Sequence, residues 1–199
     1  MTLSRSFQAG RRLGTLDAIR RIRARRKRAI AKIFAKRRPP SAANDIDLAM
    51  MEHAIGLANS AATNGEIPVA AVIYRGEEII AVGANNRESS CDPTGHAEMI
   101  AIREAGQAIG GWRLTGCSMA VTLEPCPMCA GALVNARLDR LVYGARDAKA
   151  GACTSLYHIP TDARLNHRVE MIGGVLEPRC RELLRSFFRR RRAAKRKTA

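Results

Sequence analysis

Two short segments, thirty residues apart, constrain this chain more than any other feature. One is His96-Ala97-Glu98, preceded by Asp92-Pro93-Thr94-Gly95; the other is Glu124-Pro125-Cys126-Pro127-Met128-Cys129. Each follows a loop and opens a helix. Cys126 and Cys129 stand at i and i+3, so their sulfurs share one face of a first helical turn. A helix N-terminus lowers thiol pKa and favours thiolate, the form that binds metal. Two thiolates and one imidazole make three protein ligands for Zn²⁺, with the fourth tetrahedral position left for water. That is the pattern of a catalytic site rather than a structural one. No second C-x-x-C exists to close the set. Cys91, Cys117, Cys153 and Cys180 stand alone and read as ordinary buried or half-buried thiols.

Around these segments the apolar pattern alternates between helix and strand. Ile46, Met50, Ala54, Leu57 and Ala58 recur at helical spacing, and Asn64-Gly65 stops that helix. Residues 69–74 and 78–84 read as a hairpin turning at Arg75-Gly76. A polar loop over 85–94 leads to a helix from 96 to about 108, ended by Gly110-Gly111. A strand at 119–123 follows, then a helix at 126–135 with Pro125 at its start, where a missing N–H costs nothing. Next come a strand at 140–144, a long irregular stretch at 145–166, a short strand at 168–172 and a last helix from 178 to about 192. A hairpin followed by alternating strands and helices predicts a mixed sheet covered by helices on both faces.

The 46% apolar content is too high for a disordered chain, and 199 residues suit one domain with tails. No apolar run approaches the roughly 18 residues of a membrane span. The first thirty residues lack the apolar centre of a secretory signal. Six cysteines, unevenly placed, do not make a disulfide scaffold and point to a reduced compartment.

Glu98 follows His96 by two residues, and i and i+2 do not share a helix face. The histidine can bind metal while the glutamate faces metal-bound water and substrate. Zinc lowers the pKa of its water to roughly 7. A carboxylate beside it can take that proton and pass it to a ring nitrogen and then to a leaving amine. H-x-E with P-C-x-x-C is the signature of zinc deaminases acting on nucleobases. A thioredoxin-like redox pair would also explain C-P-M-C, but would leave His96 and Glu98 without a role.

Beyond these motifs, the sequence resembles the bacterial tRNA-specific adenosine deaminases, within the cytidine-deaminase-like zinc hydrolases. The resemblance covers about 46–192. It rests on Glu66-Ile67-Pro68-Val69, Asn85, Asp92-Pro93-Thr94, His96-Ala97-Glu98 and residues 121–132. More specific to the tRNA enzymes are Gly144-Ala145-Arg146-Asp147-Ala148-Lys149, Asn166-His167-Arg168-Val169-Glu170 and Phe187-Phe188-Arg189. It implies an α/β chain with a three-layer α/β/α fold around a five-stranded mixed sheet. It implies a homodimer whose partners complete each other's sites, with one Zn²⁺ per subunit. The implied reaction converts the wobble adenosine of a tRNA anticodon, an arginine tRNA, to inosine with release of ammonia.

By motif position, His96, Cys126 and Cys129 hold the zinc and Glu98 shuttles the proton. Asn85 bonds the flipped-out nucleoside, and Pro68 and Val69 line its pocket. Residues 145–149, Asp147 among them, border the anticodon loop, while Phe188, Arg189, Arg191 and Arg192 contact its nucleotides. The chain departs from the family in Ala70, where Gly is common, in Gly95, where Ala is common, and in its long basic N-terminal arm. Residues 1–44 thus read as a basic, disordered extension, 45–192 as the zinc-dependent deaminase domain and 193–199 as a basic tail.

Charge distribution agrees with an RNA substrate. Residues 1–40 carry a net +13, 41–180 a net −5 and 181–199 a net +8. Basic ends on an acidic body point to a polyanion. Phe187 and Phe188 sit beside the arginine run, pairing stacking faces with phosphate charge as a loop binder needs. The competing enzyme reading is a guanine or other nucleobase deaminase, which would have no use for that basic helix. An inactive nucleic-acid-binding module with structural zinc would have no use for Glu98. The expected location is the cytoplasm, or an organelle if the Arg-rich residues 1–40 are a transit peptide.

Overall fold

The computed structural model describes residues 42–198, so the basic extension lies almost wholly outside the described residues. Helix α1, Asp45–Thr63, starts at Asn44 because the chain can cap itself there. The Asn44 side chain accepts from the Asp47 amide at 2.8 Å, and the Asp47 carboxylate accepts from the Asn44 amide at 3.0 Å. Strands β1, Ala70–Arg75, and β2, Glu78–Ala84, form the expected hairpin. They are followed by helix α2, Ala97–Ile109, strand β3, Ser118–Leu123, helix α3, Pro127–Asn135, and strand β4, Arg140–Ala145. A short β5, Glu170–Gly173, and the long helix α4, Glu177–Thr198, complete the order.

Five strands make one sheet in the order β2-β1-β3-β4-β5. β1 runs antiparallel to β2 and β3, while β3, β4 and β5 are parallel, so the sheet is mixed as expected. Strand alternation then sorts side chains into two cores. Ala71, Ile73, Met119, Val121, Leu141 and Tyr143 pack with Ala97, Ala101, Ala105 and Leu133 of α2 and α3. Val72, Tyr74, Ala120 and Val142 pack with Met50, Met51, Ala54, Ile55 and Cys180 of α1 and α4 on the other face. The result is the three-layer α/β/α sandwich.

Two local features differ from the sequence reading. The polar loop contains a helical turn, Arg87–Ser90, whose serine hydroxyls donate to the Asn86 carbonyl. The last helix continues past Arg192 to Thr198, since Ala, Lys and Arg are good helix formers whatever their charge. Among the described residues, no helix is long and apolar enough to cross a membrane.

Asp47, almost fully buried, ties the layers together. It accepts from Tyr74 of β1 at 2.5 Å and from Arg140 of β4 at 2.6 Å, and Arg140 also meets Glu170 of β5 at 3.0 Å. Gly83 performs a different task. A methyl there would fall 2.7 Å from the Ala101 amide nitrogen and closer still to the Ala97 carbonyl. Only glycine lets β2 and the first turn of α2 approach this closely, and that turn carries the His96-Ala97-Glu98 motif.

Candidate active site

Sheet direction gathers the motif residues at one edge. The C-terminal ends of parallel β3 and β4 lie side by side, with the Glu124 amide donating to the Ala145 carbonyl at 2.8 Å. Antiparallel pairing places the start of β1 and the end of β2 at the same edge, Ala70 opposite Ala84. So Val69, Asn85, Glu124 and Arg146 all converge there. α2 and α3 begin just beyond, with His96 and Cys126 as their N-cap residues.

His96 Nδ1 lies 3.5 Å from each cysteine sulfur, and the two sulfurs are 3.7 Å apart. Zinc–sulfur bonds of about 2.3 Å and zinc–nitrogen bonds of about 2.05 Å at a tetrahedral angle require roughly 3.6 and 3.8 Å between the same atoms. The three donors therefore fit one Zn²⁺ without rearrangement. Among the described residues they are the set of His, Cys, Asp or Glu close enough to hold a metal. Cys126 is pulled down to about 4, first by its hydrogen bond with Cys129, against burial, and then by His96. The same bond, and burial, push Cys129 up. Zn²⁺ held by these three residues would take the place of a proton on the sulfurs, since thiolates are the form that binds metal.

Glu98 sits in the first turn of α2, only 4% exposed, and its carboxyl is pushed upward by desolvation. It shares with His96 and Cys126 a cavity of about 440 Å³ that opens at the strand edge. Asn85, buried, also lines this cavity; its amide nitrogen donates to Glu66 at 2.9 Å. Glu66 accepts further from the amides of Glu88 and Ser89, so one carboxylate holds both Asn85 and the Arg87–Ser90 turn. Glu124, also buried, lines the cavity as well. Burial would raise its pKa, but donors from Ser155, Thr154 and Asp147 outweigh this and take it to about 2.

The predicted site residues are brought together unequally. His96, Glu98, Cys126, Asn85, Val69, Asp147 and Phe188 all line the cavity, with Cys129 in the metal cluster behind them. Pro68 does not line it: it is buried, and the wall is formed by its neighbours Ile67 and Val69, because the Val69 amide donates back to the Ile67 carbonyl and turns Pro68 inward. Arg189 lies outside the cavity, 3.5 Å from Glu182, and Arg191 and Arg192 are exposed on the helix beyond. Phe187 is buried and meets Phe188 edge-on at 5.4 Å, leaving Phe188 as the aromatic at the rim.

Sequence reasoning missed Arg87, Leu184 and Ala150 in the wall. Leu184 had a signal, since it precedes Phe188 by one helical turn and shares its face. Arg87 and Ala150 had none, because the loops that carry them take their course from Glu66 and Glu124.

Comparison with known proteins agrees with this geometry. Residues 44–145 match the cytidine and deoxycytidylate deaminase zinc-binding region. The chain is 46% identical over 145 residues to the tRNA-specific adenosine deaminase of Bacillus subtilis, covering 73% of this chain and 90% of that one. It is 44% identical over 153 residues to that of Haemophilus influenzae, covering 76% and 88%. A solved tRNA:A34 deaminase, which edits A to I at the wobble position of transfer RNA, superposes with a TM-score of 0.65 at 39% identity, over 68% of this chain and 98% of that one. A guanine deaminase from Nitrosomonas europaea shares the fold, with a TM-score of 0.60 at 21% identity over 77% and 89%. The chain belongs to the zinc-binding cytidine and deoxycytidylate deaminase family and, within it, to the tRNA-specific adenosine deaminases.

Proposed function

We propose that the protein hydrolytically deaminates the wobble adenosine in a tRNA anticodon loop to inosine. The observation that carries this is the meeting of two features in one cavity: the His96–Cys126–Cys129 cluster beside buried Glu98, and an open rim carrying Phe188, Arg87, Arg146 and Lys149. A free base has no phosphates to engage such a rim. An anticodon base must leave its stack to reach the floor, which is cheap in a single-stranded loop.

Zn²⁺ bound by His96, Cys126 and Cys129 supplies the Lewis acidity that makes water nucleophilic at neutral pH. Glu98 moves the protons. Only 4% exposed and with its pKa raised by that burial, it can accept a proton from the attacking water and give it to the adenine ring nitrogen. It then relays a second proton to the amine, which leaves as ammonia. Asn85, its amide nitrogen committed to Glu66, offers its carbonyl oxygen to the nucleoside. Val69 and Ile67 give the base an apolar wall, and Phe188 offers a stacking face to a neighbouring nucleotide.

We extend the reading to the assembly. The protein is a homodimer on this reading, and exposed side chains such as Trp112, Leu156, Tyr157 and Leu165 offer apolar contacts to a second copy. The tRNA is an arginine tRNA, and the protein works in the cytoplasm; an organellar location would rest on residues 1–40, outside the described residues. Arg189, Arg191 and Arg192 contact phosphates beyond the flipped base rather than the base itself.

The test is turnover on anticodon stem-loop RNAs with adenosine or guanosine at the wobble position. Inosine from the adenosine RNA with guanosine untouched is expected. Conversion of guanosine or free guanine instead would favour the guanine deaminase reading.

A further inference from the structure

Glu124 is a buried carboxylate for which neither the zinc cluster nor the proton shuttle has a use. Its Oε1 accepts from the amides of Cys153, Thr154 and Ser155 at 3.1, 2.7 and 2.9 Å and from the Thr154 hydroxyl at 3.3 Å. Its Oε2 accepts from the Asp147 amide at 3.1 Å and from the Ser155 hydroxyl. Six donors from one loop thus converge on a side chain two residues before Cys126. The same loop is stitched to that turn again where the Ala152 amide donates to the Pro125 carbonyl at 2.8 Å.

What the carboxylate holds is the RNA-facing wall of the cavity. Asp147 in turn accepts from the amides of Lys149 and Ala150, at 2.8 and 3.2 Å, and its carbonyl accepts from the Gly151 amide at 2.9 Å. Arg146, Asp147, Lys149 and Ala150 all line the cavity. Gly151 completes the clamp, since a methyl there would stand 2.5 Å from both the Glu124 carboxylate and the Asp147 carbonyl.

We propose that Glu124 is a positioning residue that holds the 146–150 wall in register with the zinc-binding turn, and so sets affinity for the RNA loop rather than the rate of the chemical step. The inference rests on the wobble-deaminase reading. A loop released from Glu124 must be ordered by the incoming RNA, which weakens binding. His96, Glu98, Cys126 and Cys129 keep their own supports.

Glu124→Gln tests this with little change of shape. Its amide nitrogen settles at the Oε2 position, where the Ser155 hydroxyl can turn round to accept, but the Asp147 N–H then faces a donor. Amide hydrogen exchange should quicken at Asp147 in the zinc-loaded variant. KM for the wobble-adenosine stem-loop should rise about tenfold, with kcat within about threefold of wild type and one zinc per chain retained. Gly151→Ala, which disturbs the clamp without touching charge, should show the same split, and it decides the matter should Glu124→Gln not fold. Asp47→Asn, destabilised elsewhere, should leave KM unchanged. Unaltered exchange at Asp147, loss of zinc, or a fall in kcat with KM unmoved would overturn the proposal. Exchange needs no substrate, so if wild-type protein fails to convert the RNA, the functional reading falls while the loop is still judged.

Discussion

Replacing Gly83 by alanine should damage catalysis from the far side of the helix that carries it. The added methyl would meet backbone atoms of Ala97 and Ala101, not the end of a flexible side chain. Backbone cannot swing aside, so α2 must lift from β2 by something on the order of 1 Å to restore an ordinary contact. Overpacking of this kind costs about 1–3 kcal/mol. For a domain of this size that is a fall in Tm of about 2–12 °C. The larger effect is on geometry: His96 caps α2 and Glu98 lies in its first turn, so both move with it while Cys126 and Cys129 stay on α3. A misplacement of about 1 Å can cost roughly 10²-fold in rate. The expected result is a folded Gly83→Ala protein, 10- to 100-fold slower by kcat, that loses zinc faster to a chelator. Stem-loop turnover, thermal unfolding and chelator-release kinetics read the three effects. Activity within about twofold of wild type and an unchanged Tm would show that the close approach of β2 and α2 does not position the site.

Four further outcomes follow from other parts of the molecule. Cys126→Ala combined with Cys129→Ala should abolish the one-per-chain zinc measured by metal analysis, since a single imidazole remains. Asp47 has its carboxyl pulled below 3.8: burial pushes it up, but bonds from Arg140, Tyr74 and the Asn44 amide prevail. The folded state therefore binds this proton less readily than the unfolded state, so the stability Asp47 adds is complete above its unfolded pKa and fades as pH falls through 3.8 and below. The Tm gap between wild type and Asp47→Asn should accordingly be widest near neutrality and narrow towards pH 3; a gap that widens with acid would reverse the sign. Truncation after Ser186 removes Phe188 from the rim and the arginine run behind it, so RNA affinity should fall and its salt dependence flatten by about 0.7 log units per lost phosphate contact. Deleting residues 1–40 should spare activity at moderate salt, and a greater loss there than from the C-terminal truncation would place the RNA-binding end wrongly.

Much of this architecture was legible because local and global signals agreed. Unbroken apolar runs in β1 and β3, whose successive side chains face opposite sides, serve two cores at once, and the N-terminal turn chemistry of His96 and Cys126 is written within a few residues of each. The i, i+3 cysteines needed no tertiary information to be paired; that His96 Nδ1 lies 3.5 Å from both did. What could not be read were contacts spanning distant segments. Glu66 reaches Ser89 across 23 residues and Glu124 reaches Ser155 across 31, and no periodicity announces either. The inward turn of Pro68 and the pairing of Arg189 with Glu182 are likewise settled by neighbours rather than by motif.

On this reading a zinc site and a buried glutamate together deaminate the wobble adenosine. The most direct measurement is inosine formed per tRNA by zinc-loaded wild-type protein beside zinc-loaded Glu98→Ala. Wild type should yield one inosine at the wobble position and one ammonia for each tRNA. Glu98→Ala, with its zinc and fold intact, should be slower by at least about 10²-fold, the low end of general acid–base effects. A zinc-replete wild-type protein that forms no inosine, or a Glu98→Ala variant that turns over at near wild-type rate, would contradict it.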